Sequence, residues 1–350
     1  MSSLNIVKSI NVKKGKTLVN LIKDLGETGF QGRSLAEVCF LFNKMIEDKE
    51  ATIILGYSGS LSTTGQWKIV QWFLENELVD ILVSTGANIS EDIVEALGYS
   101  YYQGSIYDDD KKLFEQGYNR YYDVYGREDD YYKMTELISQ FIIELDCSRN
   151  YSSREFLYEF GLWLERKKVY SIVTSAALKD IPIFCPAIAD SPFGDAALLA
   201  KNKKRNLIID CIKDYTEFMS LSEKVDSTGV VYIGGGVPKD FIQLLAVSPV
   251  LSYPDFLIPT KKYGKRRKGS EETSYPHKYA IQITTDSPQW GGLSGCTFKE
   301  AISWGKETLI DNTKQCYCDA TIALPIISHY LSDVMESKRV GKKMNKFFSR

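Results

Sequence analysis

The residues best placed to do chemistry gather in one strip, Trp290–Lys306, which reads WGGLSGCTFKEAISWGK. Thr297 can cap a helix whose third residue is Glu300, a capping-box pattern. Trp304 follows Glu300 by four residues and so shares its helical face. A carboxylate beside an aromatic face cradles an alkylammonium ion. Lys306 stands six residues past Glu300. That is roughly 240° around an ideal helix, so a continuous helix would turn it away. Gly305 can end the helix and swing Lys306 towards the same pocket. A lysine held against a desolvated aromatic can give up its proton and act as an imine-forming nucleophile. The plain alternative for Lys306 is a solvated lysine at a helix end.

A second set falls where apolar runs end. It comprises Ser58 in GYSGS, Thr85 in STGA, Asp190 and Asp195 after CPAIA, Gly235 in GGG, Thr285 in TTD, and Asp319. In parallel α/β sheets, ligands bind beyond the carboxyl ends of the strands. Small residues and hydroxyls there let phosphates approach closely, and aspartates accept ribose hydroxyls. The set points to a nucleotide-type site. Standard motifs are incomplete. Gly234 and Gly236 begin a GxGxxG that fails at Lys239, and GYSGS falls one glycine short of a nucleophile elbow at Ser60.

Histidine and cysteine usage narrows the chemistry. With only His277 and His329, a multi-histidine metal site is excluded. A hydrolase built on Ser58 would need one of those two as base. His329 sits in the apolar run ALPIISHYL and is expected in the core or at an interface. Seven cysteines, Cys39, Cys147, Cys185, Cys211, Cys296, Cys316 and Cys318, form no CxxC pair. They are expected to be small buried hydrophobes rather than a zinc site or a disulfide framework.

The elements that must position these residues follow from hydrophobic patterning. Candidate strands are Ala51–Tyr57, Val79–Thr85, Tyr170–Thr174, Ile181–Pro186, Asn206–Cys211, Gly229–Gly234, Tyr279–Thr285 and Gln315–Asp319. Most are continuous apolar runs, as in strands covered on both faces. Helical patterns lie between them: from a capping box at Ser34 and Glu37 through Met45, over Gly65–Glu75, and over Ser152–Lys167. The alternation predicts an α/β fold, a Rossmann-like parallel sheet with helices on both faces, built as a single elaborated domain. Tyr99–Tyr132 is rich in Tyr and Asp and is expected to be a long surface excursion. Lys261–Lys268, KKYGKRRK, reads as a solvated basic loop, and the basic tail after Lys338 is expected to fray.

Composition bounds the rest. The chain has 350 residues, 44% hydrophobic and 25% charged, and a formal net charge of −2. That balance excludes a global polycation, so no nucleic-acid partner is expected. No apolar run approaches the ~20 residues of a membrane span. The N-terminus, MSSLNIVKSINVKKGK, has no signal-like apolar core, so a cytoplasmic location is expected.

Several stretches carry a family resemblance: LGYSGSL (Leu55–Leu61), VDILVSTGANISEDIVEALG (Val79–Gly98), IPIFCPAIADSPFGD (Ile181–Asp195), GVVYIGGGVPK (Gly229–Lys239), EAISWGK (Glu300–Lys306) and YCDATIALP (Tyr317–Pro325). In order and spacing they resemble deoxyhypusine synthase over roughly residues 25 to 335, EAISWGK being the most specific piece. The resemblance implies an NAD-dependent aminobutyltransferase. Spermidine is oxidised, its 4-aminobutyl group passes as an imine to a lysine with release of 1,3-diaminopropane, and the group then moves to an acceptor amine and is reduced. Lys306 matches the catalytic lysine, and Glu300, Trp304 and Asp195 match polyamine-binding positions. Ser58, Thr85, Glu91, Asp190, Gly235, Thr285 and Asp319 match positions that surround NAD. The resemblance also implies a homotetramer with active sites at dimer interfaces. It sets the catalytic domain at residues 25–337, between an N-terminal extension (1–24) and the basic tail (338–350).

Departures bear on the acceptor. The family follows its glycine triplet with a lysine and two histidines, whereas Lys239 is followed by Asp240 and Phe241. Two acidic positions before the catalytic strip become Trp290 and Leu293, and the first of two adjacent glutamates is Ser90. This looks like the deoxyhypusine synthase-like branch, some of whose members use putrescine and make homospermidine. A smaller, more apolar cavity is expected, with Asp240 as a second anchor for a diammonium ligand. Putrescine is therefore placed slightly ahead of a protein lysine as acceptor. The same residues leave open a non-catalytic protein that binds NAD or polyamine on this fold. Release of 1,3-diaminopropane from spermidine and NAD separates the two.

Overall fold

The computed structural model of the chain describes residues 5–252, 277–307 and 312–348, and the backbone of two short strands between 253 and 276. The strands are, in chain order, β1 (Ala51–Tyr57), β2 (Ile81–Ser84), β3 (Tyr102–Gln103), β4 (Tyr118–Tyr121), β5 (Val124–Arg127), β6 (Ile183–Phe184), β7 (Ser227–Ile233), β8 (Leu257–Thr260), β9 (Gly264–Arg267), β10 (Tyr279–Thr284) and β11 (Thr313–Tyr317). Of the basic run Lys261–Lys268, only the β9 backbone at 264–267 falls within the described residues. Among the described residues, no helix is long and apolar enough to cross a membrane.

The chain forms a mixed α/β fold in two compact units. The first holds Met1–Tyr57 and Met219–Val340. Its strands lie in the order β11-β10-β7-β1, all parallel. All seven residues of β1 and all six of β10 are buried, as their largely apolar sequences require. The register pairs Tyr57 with Ile233, Ile233 with Ile283, and Thr284 with Tyr317, so the four carboxyl ends share one edge. The helix Phe30–Glu47 packs on β1, β10 and β11, burying Val38, Cys39, Phe42 and Met45.

The second unit holds Ser58–Phe218 and Gly341–Arg350. Here β2 and β6 pair in parallel, and β3, β5 and β4 form a separate antiparallel sheet. Its core is aromatic: Phe141 and Phe160 have ring centroids 5.1 Å apart, and Phe193 stands edge-on to Phe156 at 5.9 Å. The helix Ser153–Arg166 starts in a complete capping box between Ser152 and Glu155, close to the predicted start.

Some elements differ from the sequence expectation. Tyr170–Thr174 is not a strand; Ser171 caps a helix, Ile172–Leu178, by accepting the Thr174 amide. Asn206–Cys211 makes only a single bridge, Tyr151 to Ile209. Asp210 then accepts the amides of Ile212 and Lys213 and starts the helix Cys211–Met219. Ser34 caps nothing. Its helix begins four residues earlier, after Gly29, and its hydroxyl donates back to the Phe30 carbonyl. The tyrosine-rich excursion lies at the surface as expected, with Tyr107 and Tyr122 exposed, and folds there as β3, β4 and β5 with the short helix Asp110–Glu115. The tail does not fray: the amides of Gly341 and Lys342 donate to Glu77 and Asp80, and Met344 and Phe348 are buried, Phe348 edge-on to Phe184.

Candidate active site

Within the strip Trp290–Lys306, Phe298–Ser303 folds as a short helix. Thr297 caps it by accepting the Glu300 amide at 3.1 Å. Its other end is a Schellman turn: the Gly305 amide donates to Ile302 O at 2.9 Å and the Lys306 amide to Ala301 O at 3.1 Å. Gly305 has φ +75°, a conformation that a side chain would strain. This turn returns Lys306 to the side of Glu300 and Trp304, as the expected helix stop at Gly305 required.

Lys306, Glu300, Trp304 and Asp240 line one cavity of about 620 Å³ within the first unit, together with apolar Leu244, Val247, Leu251 and Leu293. The Lys306 Nζ donates to Asp240 Oδ1 at 3.1 Å and stands 5.5 Å from the Trp304 ring centre. The Lys306 side chain is 12% exposed and that of Asp240 45%, so the amine is shielded while its carboxylate partner faces the opening. Trp304 is 68% exposed, an indole face left open to a ligand. Trp290 is exposed and does not line the cavity, whereas Leu293 does. Two carboxylates, one amine and an indole can hold an alkylammonium ion and present a nucleophile to it.

A buried polar network holds this wall. Lys239 is 1% exposed, and its ammonium donates to Gln282 Oε1 at 3.0 Å, Leu293 O at 3.1 Å and Cys296 O at 2.7 Å. Gln282 Nε2 donates to Gly234 O and Ser294 O, each at 2.9 Å. Gln315 Nε2 donates to Gln282 Oε1 at 2.7 Å, and its own oxygen accepts the Phe298 amide at 3.1 Å. Burial pulls the Lys239 amine down to about 8. Gly235 belongs to the same packing, because a Cβ there would stand 2.3 Å from the Ser294 Cα. Motif reading registers Lys239 only as the break in GxGxxG. The signal in the sequence is Gln282, a glutamine inside the otherwise largely apolar strand β10.

Glu307, next to Lys306, is buried and accepts from Gln243 Nε2 at 3.3 Å. Burial raises its carboxyl from 4.5 to about 8. A folded-state value above the unfolded one contributes stability that is full at low pH and lost as pH rises through the folded value. Between pH 4.5 and about 8, the melting temperature of the wild type should therefore fall relative to that of Glu307→Gln. Parallel melting curves for the two across that window would contradict this. His277 is fully buried, shares a 2.7 Å hydrogen bond with Thr228 Oγ1, and is pushed down to about 3 by burial, so it is no general base. His329 is exposed on the helix Ala320–Val334 rather than in the core.

The remaining candidate residues sit at strand ends. In the first unit, Gly235 follows β7, Thr285 is exposed just past β10, and Asp319 caps the helix after β11 by accepting the Thr321 amide at 2.7 Å. None of the three lines the lysine cavity. An exposed hydroxyl, an exposed carboxylate and a helix start after three glycines fit the hydroxyl and phosphate groups of a dinucleotide. In the second unit, Ser58 is half-buried and Thr85, past β2, accepts from Asn88 Nδ2 at 3.2 Å. Glu91 is buried and raised to about 7 by burial and by Asp92. Asp190, past β6, is exposed and lines an apolar cavity of about 470 Å³ with Phe156 and Phe193. Asp195 is exposed on the helix Pro192–Lys201.

A family model described as deoxyhypusine synthase matches residues 20–331. The chain is 43% identical over 314 residues to a probable deoxyhypusine synthase 2 of Archaeoglobus fulgidus, covering 90% of this chain and 98% of that one. It is 36% identical over 332 residues to a deoxyhypusine synthase-like protein of Elusimicrobium minutum, covering 93% and 83%. A crystal structure of a putative deoxyhypusine synthase from Entamoeba histolytica has a similar fold, with a TM-score of 0.60 at 19% identity, covering 95% of this chain and 99% of that one.

Proposed function

Because the chain belongs to the deoxyhypusine synthase family, whose members are aminobutyl-type transferases, we propose that it transfers the 4-aminobutyl group of spermidine, with NAD, through an imine on Lys306 to an acceptor amine. The observation that carries this reading is the shielded Lys306 amine, 3.1 Å from Asp240 in a cavity that it shares with Glu300 and Trp304.

Bound NAD supplies the hydride acceptor and later the hydride donor. Gly235, Thr285 and Asp319 are the residues of the first unit that would hold it. Asp240 takes the proton that Lys306 must lose before attack. The freed amine adds to the C=N carbon of oxidised spermidine, and 1,3-diaminopropane leaves with the C–N electron pair and a proton. Glu300 anchors the ammonium end of the chain, and Trp304 covers its methylenes and cation. The acceptor amine then displaces Lys306 by the same exchange, and reduction of the new imine ends the cycle. The assembly proposed is the homotetramer of the family.

Putrescine is placed ahead of a protein lysine as acceptor. Once Lys306 is tied up as an imine, Asp240 loses its cationic partner and becomes an anchor for the far ammonium of a small diamine. Leu244, Val247, Leu251 and Leu293 suit a short methylene chain. Purified enzyme with spermidine and NAD should form homospermidine from putrescine and leave unlabelled the alternative protein acceptor, the lysine of a translation-factor precursor. Efficient labelling of the precursor lysine with no homospermidine would reverse this order.

A further inference from the structure

The tyrosine-rich segment has no part in the chemistry above, yet its hydroxyls reach the Asp195 carboxylate and the backbone of Glu91. Its sheet stacks tyrosines edge-on, Tyr102 against Tyr118 and Tyr101 against Tyr121, each pair 6.2 Å apart. β5 runs directly into the helix Glu128–Glu144, whose first turns carry Tyr131. This helix packs along the helix Pro192–Lys201, and Tyr131 Oη donates to Asp195 Oδ2 at 3.3 Å. Tyr101 Oη donates to the Glu91 carbonyl at 3.0 Å. Tyr121 lies close enough to both Glu91 and Tyr131 for their charges to act on one another. Asp195, Glu91 and the three phenols thus form one patch inside the second unit.

The donor is a phenol rather than a cation, and this decides what the patch can attract. A lysine or arginine opposite Asp195 would neutralise it. A phenol orients the carboxylate and leaves its charge intact. Burial and the Asp195 charge hold the Tyr131 hydroxyl above its ordinary value, so it remains a donor at any working pH. Aromatic faces beside a carboxylate favour an ammonium ion over a metal ion, which needs more oxygen ligands.

We propose that Tyr131 is a positioning residue for a protonated di- or polyamine, fixing Asp195 so that its carboxylate meets an ammonium group while the rings of Tyr121 and Tyr131 wall the approach. This rests on the reading of Asp195 as an amine-binding residue.

The test uses the full chain, with spermidine binding followed by calorimetry and turnover by steady-state kinetics, for wild type, Tyr131→Phe and Asp195→Asn. Tyr131→Phe keeps the ring and loses only the donor. It should weaken spermidine binding and raise its KM about ten-fold, with kcat within about two-fold of wild type. Asp195→Asn should weaken binding further. Unchanged spermidine affinity in Tyr131→Phe beside weakened binding in Asp195→Asn would overturn the Tyr131 assignment and leave the transfer reading standing. A drop in kcat and melting temperature with no change in KM would also overturn it, by showing a purely structural role. A wild type that binds no spermidine would overturn both.

Discussion

Lys306→Ala is expected to lose aminobutyl transfer by on the order of 10⁴-fold or more, the scale on which removing a covalent nucleophile acts. The substitution leaves Asp240, Glu300 and Trp304 in place, so the amine pocket keeps its shape and gains a carboxylate without its partner. Spermidine should still bind, and spermidine-dependent NADH formation should survive in part, because oxidation precedes attack by the lysine. Lys306→Arg tests the same point differently. It keeps a cation opposite Asp240 but offers no nucleophilic amine, so transfer should be equally lost. Coupled assays of NADH and 1,3-diaminopropane distinguish the two steps. Normal turnover by Lys306→Ala would end the imine mechanism.

Lys239→Met should be the most damaging substitution that touches no substrate. The lysine donates to three buried acceptors, Gln282 Oε1, Leu293 O and Cys296 O. Methionine fills a similar volume and satisfies none of them. Each acceptor keeps a second donor, Gln315 Nε2 for Gln282 Oε1 and Cys296 O and the Cys296 amide for Leu293 O, so what is lost is three bonds to a charged donor, roughly 1.5–3 kcal/mol each, offset in part by no longer burying an amine, for a net loss of about 3 kcal/mol. The damage is directional. Leu293 and Cys296 form the cavity wall, and Gln282 ties Ser294 to Gly234 at the glycine triplet, so transfer should fall beyond what unfolding explains. Denaturant titration gives the first quantity, and activity measured well below the unfolding midpoint gives the second. A variant with wild-type stability and activity would show that the network is dispensable.

The sequence displays the framework where one physical signal dominates. A run of seven residues with five hydrophobic side chains admits few alternatives to a covered strand, and β1 spans Ala51–Tyr57, buried throughout, as expected. The turn that returns Lys306 is legible because Gly305 ends the helix five residues after Glu300, just before Lys306. Local capping defeats the apolar signal elsewhere. The β-branched start of Ile172–Leu178 resembles a strand, but Ser171 and the small Ser175, Ala176 and Ala177 favour a packed helix. Asp210 does the same at Cys211. The Lys239–Gln282–Gln315 network has no local signature, because its partners lie 43 and 33 residues apart along the chain. The pairing of Tyr131 with Asp195, 64 residues apart, is hidden for the same reason.

The proposed transfer has Lys306 carry the aminobutyl group. Its most direct test adds borohydride to enzyme, spermidine and NAD during turnover in the absence of acceptor, then maps the modified peptide by mass spectrometry. The expected result is 1,3-diaminopropane in solution and a reduced 4-aminobutyl adduct on Lys306 alone. Release of 1,3-diaminopropane with the adduct on another lysine, or no release and no adduct, would contradict it.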